Sequence, residues 1–203
     1  KVKKSPAAKG TKQGGGYLNV SKKTWMYGVI IFLFITSYTV FGSNVSFVIS
    51  DRGLGSSAMT GTAMSIFLVG GMLAGPLFSP TERRLHDYTF CIAFLLLTAG
   101  FLIVYFAQSL TVVFTGLSMG FAMPTALLGC TNCNTVEAAT AGCAVAHMAG
   151  QIGTVLSAII YTSAASLFSS ASDFRFLFAA ISCAVLSVLV AVVVTVANRA
   201  GAK

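Results

Sequence analysis

The sequence predicts an all-α integral membrane protein with six transmembrane helices. Three observations carry that prediction. Between Trp25 and Val196 lie six runs of about 18–25 mostly apolar residues, and at ~1.5 Å rise per residue each is long enough to cross the ~30 Å bilayer core as a helix. Hydrophobic residues make up 56% of the 203 and charged residues only 9%, against roughly 25% charged in a soluble domain. Nearly all of that charge lies between or outside the apolar runs.

Residues 1–24 read as a flexible basic linker. Seven of the thirteen basic residues fall there (Lys1, Lys3, Lys4, Lys9, Lys12, Lys22, Lys23), with Pro6, three consecutive glycines and little apolar surface to bury. Such a segment suits the anionic face of a membrane. It lacks the aromatic interleaving and folded basic module of a nucleic-acid binder, so no nucleic-acid partner is expected despite a net charge of +8. No signal-peptide pattern opens the chain, which reads as a piece of something longer. The six helices are expected at about 25–50, 58–78, 89–106, 110–129, 141–163 and 174–196, within a 25–196 transmembrane bundle, and 197–203 as a short tail.

The basic residues orient the bundle. With the N-terminus in the cytoplasm, inside segments hold the seven linker lysines, Arg83, Arg84, Arg199 and Lys203, and outside segments hold Arg52 and Arg175. Eleven against two places both termini in the cytoplasm by the positive-inside rule. The expected location is the cytoplasmic membrane.

The helices differ in character. The third is rich in Leu and Phe with Thr98 as its one clear polar residue, and the sixth is similarly apolar toward its end, which suits a lipid-facing position. In the first, Thr36, Thr39, Ser43, Ser46 and Ser50 recur at spacings of 3, 4, 3 and 4, a hydroxyl stripe along one face with Tyr38 and Asn44 off it. That stripe either lines a polar cavity or bonds back to its own helix carbonyls. The second helix carries Gly71-x-x-x-Gly75, a spacing that permits close helix approach. The fifth has two faces, a small one of Gly142, Ala146, Ala149 and Gly153, and a polar one of Cys143, His147, Gln151 and Thr154. Gly116, Gly120 and Pro124 would let the fourth helix bend around a cavity.

This pattern resembles the carboxy-terminal half of a major facilitator superfamily transporter over nearly the whole chain. The best local match is the connection after the second helix. The family signature, roughly G-x-x-x-D-R-x-G-R-R, reads here Gly75-Pro-Leu-Phe-Ser-Pro-Thr-Glu-Arg83-Arg84. The glycine and paired arginines match, whereas Ser79, Pro80 and Glu82 stand where the family has Asp, Arg and Gly. The resemblance implies one bundle of two inverted three-helix repeats. The first and fourth helices would line a central cavity, the second and fifth would pack on another bundle, and the third and sixth would face outward. It implies a secondary active transporter that moves a small organic solute by alternating access. The partners would then be lipid and an amino-terminal six-helix half missing from this chain, or a second copy.

All five carboxylates (Asp51, Glu82, Asp87, Glu137, Asp173) fall in loops or at helix ends, so any titratable group within the membrane is His147. The substrate or proton candidates are His147, Gln151, Thr154, Tyr38, Thr39, Ser43 and Asn44. His147 is also readable as a neutral histidine bonded to Gln151 or to a backbone carbonyl. Gly75, Arg83 and Arg84 are candidates for the cytoplasmic gate, or topology determinants alone. Without buried charge, the expected solute is neutral, amphipathic or aromatic, or an anion whose countercharge lies elsewhere.

Gly116-Leu-Ser118-Met-Gly120 and Ala146-His147-Met-Ala-Gly150 are similar to motifs of rhomboid intramembrane proteases, but Ser118 lies roughly 16 Å deep and His147 roughly 9 Å, too far apart for a nucleophile and its base. Cys130-x-x-Cys133, Cys143 and His147 have zinc-like spacing, yet the first pair is expected in a loop and the second within the membrane. A disulfide is not expected in a reducing cytoplasm. A channel would need a continuous polar pore or charged rings. No phosphate-binding glycine loop with Lys is present. Neither an enzyme, a metal nor a cofactor is therefore expected.

Overall fold

The computed structural model describes residues 20–51, 53, 57–106, 113–167 and 174–201. Most of the basic linker, Arg52 and the segments 54–56, 107–112, 168–173 and 202–203 lie outside the described residues, and so do the expected loop residues Asp173 and Ala107-Gln108-Ser109. Six α-helices follow in order: α1 (Lys22–Asp51), α2 (Ser57–Leu85), α3 (Thr89–Phe106), α4 (Val113–Cys133), α5 (Val136–Ser166) and α6 (Phe174–Gly201), and no strand occurs among the described residues. Five helical stretches are long and apolar enough to cross a membrane. One of them, Ala58–Phe106, contains both α2 and α3, and its 49 residues at ~1.5 Å each exceed twice the bilayer core.

α3 has its expected bounds, and α1, α2, α4, α5 and α6 each run past an expected end, for local reasons. Ser21 caps α1, its carbonyl accepting the Thr24 N–H at 2.9 Å. The segment 79–88, expected as a loop, is mostly the end of α2, which carries Pro76 and Pro80 internally and both exposed. Each proline frees the carbonyl four residues earlier, and the helix continues through both. The turn itself shrinks to a single 3-10 turn, His86–Tyr88, entered by His86 at φ 47. Likewise Cys130 and Cys133 lie in the last turns of α4, not in a loop. The Asn134 side-chain amide ends that helix by donating to the Cys130 carbonyl at 2.7 Å, and the Thr135 carbonyl accepts from Ala138 and Ala139 to begin α5. The tail expected at 197–203 is helical through Gly201.

The packing has an internal order. α1 packs most extensively on α5, α2 on α4, and α3 on α6 and then α4. Exchanging α1–α3 with α4–α6 turns the first pair into the second and leaves the α3–α6 pair unchanged. Both equivalent seams are built on glycine. A Cβ at Gly116 or Gly120 of α4 would overlap the Phe67 carbonyl or the Ala74 side chain of α2, and a Cβ at Gly153 of α5 would meet the Phe32 carbonyl of α1 at 2.7 Å. Gly75 of the expected glycine pair faces open space instead, and the close approach falls to Gly70 and Gly71.

Aromatic side chains fill the centre. Phe34 meets Phe94 edge-on at 5.3 Å and 80°, and Phe101 meets Phe176 at 5.8 Å and 64°, tying α3 to α1 and α6. Exposed apolar side chains concentrate on α2 (Leu68, Met72), α5 (Met148, Val155, Ile159) and α6 (Val185, Val188, Val192). α3 departs from its expected lipid-facing role. Phe90, Phe94, Leu97 and Phe101 are fully buried, and on α3 only Leu95 and Phe106 are exposed. A uniformly apolar helix carries no sequence sign of which face packs on protein, and here one whole face is taken by α4 and α6.

Candidate functional site

A cavity of about 300 Å³ lies between α1, α4 and α5. α1 supplies Ile35, Tyr38 and Thr39, α4 supplies Met119 and Met123, and α5 supplies His147, Gly150, Gln151 and Thr154. Each helix contributes from its middle. Tyr38 falls near the midpoint of Lys22–Asp51, Met123 at that of Val113–Cys133 and Gln151 at that of Val136–Ser166. No Asp, Glu, Lys or Arg lines this space. Five of the seven binding residues expected from sequence, on two helices more than 100 residues apart, therefore meet in one place.

Helical periodicity accounts for the α5 wall. His147, Gln151 and Thr154 recur at i, i+4 and i+7 on one face, and the His147 and Gln151 Nε2 atoms lie 3.4 Å apart. If the amide donates to His147 Nε2, the proton of a neutral imidazole sits on Nδ1. The Thr hydroxyls are already used. Thr39 donates to the Ile35 carbonyl at 2.8 Å and Thr154 to the Gly150 carbonyl at 3.2 Å. The α1 stripe thus does both things the sequence allowed: it faces a cavity at Thr39 while Thr36, Thr39 and Ser43 each bond the carbonyl four residues back. What remains for a ligand is the Tyr38 hydroxyl, which has no hydrogen-bond partner among the described residues, the second imidazole nitrogen and the Gln151 carbonyl oxygen. The Tyr38 ring is held between Phe34 at 5.8 Å and Phe67 at 5.1 Å.

Ser43 and Asn44 do not join this cavity. Asn44 sits five residues and about 140° round α1 from Thr39. It is buried on the α6 side, its Oδ1 accepting a 2.6 Å bond from Arg175 and its amide donating to the Val40 carbonyl. Arg175 lies half-buried with its guanidinium 6.0 Å from the Phe47 ring. The signal for this pair was a lone arginine opening an apolar run and the single asparagine of the first helix.

The remaining candidates lie elsewhere. Gly116 and Gly120 serve the α2 seam, and Pro124 lies half-buried within an unbroken α4. Gly75, Arg83 and Arg84 are exposed on α2, where the arginines occupy the last turn and complement its dipole. Ser118 is buried and donates to the Thr115 carbonyl at 2.6 Å, without a hydrogen bond to His147. Among the described residues no three His, Cys, Asp or Glu side chains gather as a metal site. The Cys133 thiol contacts the Thr24 hydroxyl, and the Cys143 thiol donates to the Leu127 carbonyl.

A second cavity, of about 480 Å³, opens at the end of the bundle where α1 begins. It is polar, and Lys23, Tyr27, Glu82, His86, Asp87 and Cys133 line it. The Tyr27 hydroxyl donates to Asp87 Oδ1 at 2.7 Å, joining α1 to the α2–α3 turn. Tyr27 was expected within the first helix and Asp87 in the charged connection after the second, and nothing in the sequence joins two positions 60 residues apart.

No protein-family model matches the sequence, and no curated protein or solved structure matches it either.

Proposed function

We propose that this chain is one six-helix bundle of a secondary active transporter in the cytoplasmic membrane, with both termini in the cytoplasm. The observation that carries the reading is the uncharged cavity to which α1, α4 and α5 each contribute side chains from mid-length. In a spanning bundle that depth is the bilayer midplane, where alternating-access carriers hold their solutes. The exchange symmetry of the helix pairs supports an inverted repeat, and so does the glycine seam on each equivalent pair. Exposed apolar rows on α2 and α5 suit a second bundle, supplied by the same polypeptide or by another copy.

The lining narrows the cargo. A cavity without charge, with two thioethers, a phenol and an imidazole–amide pair, suits a small uncharged organic solute with an apolar body and a few hydrogen-bonding groups. The imidazole is the group that could couple a proton.

Membrane vesicles from cells expressing the full-length protein test the reading, with radiolabelled uracil and indole as uncharged heterocyclic probes. Uptake or efflux of either above that of empty-vector vesicles, lowered at least several-fold by Gln151→Leu at equal expression, is the expected result. Fluxes of both probes equal to the empty-vector control would contradict it.

A further inference from the structure

The α4 wall of the central cavity is sulfur. Met119 and Met123 stand one turn apart on that helix. Both are half-buried, so neither thioether is sealed into the core as a gap filler. The register of α4 against α5 decides what they face. The two helices form an antiparallel pair joined by Asn134 and Thr135, and the Cys143 thiol donates to the Leu127 carbonyl, which puts those two positions level. One turn further into the bundle, the same register brings Met123 level with His147. The next turn brings Met119 level with Gln151. All four line the one cavity of about 300 Å³.

The imidazole has the outer support that a ligating histidine needs. Its Nε2 lies 3.4 Å from the Gln151 side-chain amide, which leaves Nδ1 for another ligand. With that amide turned end for end, its carbonyl oxygen accepts the Nε2 proton and the Nδ1 lone pair is bare. Such an acceptor behind the ring fixes the tautomer of most metal-bound histidines. The rest of the lining selects the kind of ion. No carboxylate is present, and the Thr39 and Thr154 hydroxyls are spent on their own helices, so a hard cation finds no anionic oxygen. Thioethers and an imidazole are neutral, polarisable donors, and they favour soft monovalent ions. An ion at this depth gives up its water; bonds to sulfur and nitrogen replace it.

We propose that Met119, Met123 and His147 form a binding site for a soft monovalent metal ion, Cu(I) or its chemical analogue Ag(I), with Gln151 holding the imidazole in place. The thiols take no part, since Cys143 is engaged with Leu127 one turn away and Cys133 with Thr24. The site goes beyond the carrier reading and does not depend on it. An organic solute and a soft ion would occupy the same space, so each excludes the other.

Oxidation of the thioethers reports on the site without interference from the thiols, because a sulfur that gives a lone pair to a metal ion reacts slowly with peroxide. The full chain in detergent is treated with hydrogen peroxide, with and without silver nitrate, and sulfoxide at each methionine is followed by peptide mass spectrometry. At about ten times the half-protecting concentration of free Ag(I), oxidation of Met119 and Met123 is expected to slow by about tenfold. Met72 and Met148, exposed on α2 and α5, should keep their rates. His147→Ala should lose most of the protection, and magnesium sulfate should give none. Met119 and Met123 oxidised equally fast with and without Ag(I) would overturn the proposal in the wild-type chain alone, whether or not the variant folds. So would protection shared equally by Met72 and Met148, or kept in full by His147→Ala. Because no solute is present, absence of protection leaves the carrier reading standing, and absence of probe flux leaves the metal site standing.

Discussion

Two cavities of the bundle share α1, α4 and almost nothing else. The one at mid-length is lined by Tyr38, Thr39, Met119, Met123, His147 and Gln151 and carries no formal charge. The one at the N-terminal end of α1 holds Lys23, Glu82 and Asp87 within a similar volume. The contrast follows from solvent. An ion half-way across a bilayer lacks water on every side, whereas an ion at a helix end keeps some of its hydration. On the proposed carrier reading, recognition at the centre is therefore left to dipoles and shape.

The largest effect expected from this contrast is on folding. Gln151→Lys places an ammonium in the central cavity and should cost about 3 kcal/mol, the scale for a cation at the centre of a spanning helix. Asn132→Lys at the end cavity should change stability by less than about 0.5 kcal/mol. Thermal unfolding of the detergent-solubilised variants compares them, and equal losses would erase the distinction between the two places.

A pair of tyrosines sharpens it next. Tyr27→Phe breaks the bond to Asp87 and leaves a carboxylate short of a donor, a loss of about 1–2 kcal/mol. Tyr38→Phe removes a hydroxyl without a partner among the described residues, so stability should hold, while affinity for a transported probe falls by about tenfold if one hydrogen bond is lost. Unfolding curves and probe binding on the same preparations separate the two outcomes.

His147→Ala should weaken probe transport or flatten its pH dependence while expression is unchanged, because the imidazole lines the central space beside Gln151. Kinetics unchanged across pH would remove His147 from the site. The smallest effect is expected at Thr39→Val. Its hydroxyl serves its own helix, so stability should shift by less than about 0.5 kcal/mol and the cavity keeps its shape.

Much of this was legible in the chain. Apolar runs located the helices, because in lipid the backbone must satisfy itself within each segment and length alone decides what can span. The i, i+4, i+7 spacing of His147, Gln151 and Thr154 placed them on one face, and that face lines the cavity. Asn44 was not legible in the same way. Its partner Arg175 is 131 positions away, and a polar residue off a stripe gives no sign of which neighbour it will find. Tyr27, Glu82 and Asp87 were missed because their cavity forms only when α2 continues through Pro76 and Pro80 to Leu85. The expected helix stopped at 78, where Pro80 and the charges of 79–88 begin, and α2 instead runs on to Leu85. The α3 face was hidden for the opposite reason, since a helix apolar all round looks the same toward lipid and protein.

The central claim is an uncharged chamber half-way across the bilayer. It is tested most directly by a spin label at Gln151 in bilayer vesicles, with depth and access read from collisions with oxygen and a water-soluble nickel chelate, and with a label at Val188 on the exposed face of α6 as reference. The account predicts mid-bilayer depth for both, with the chelate reaching Gln151 and excluded from Val188. A Gln151 label that sits at the membrane surface, or one shielded from the chelate as fully as Val188, would contradict it.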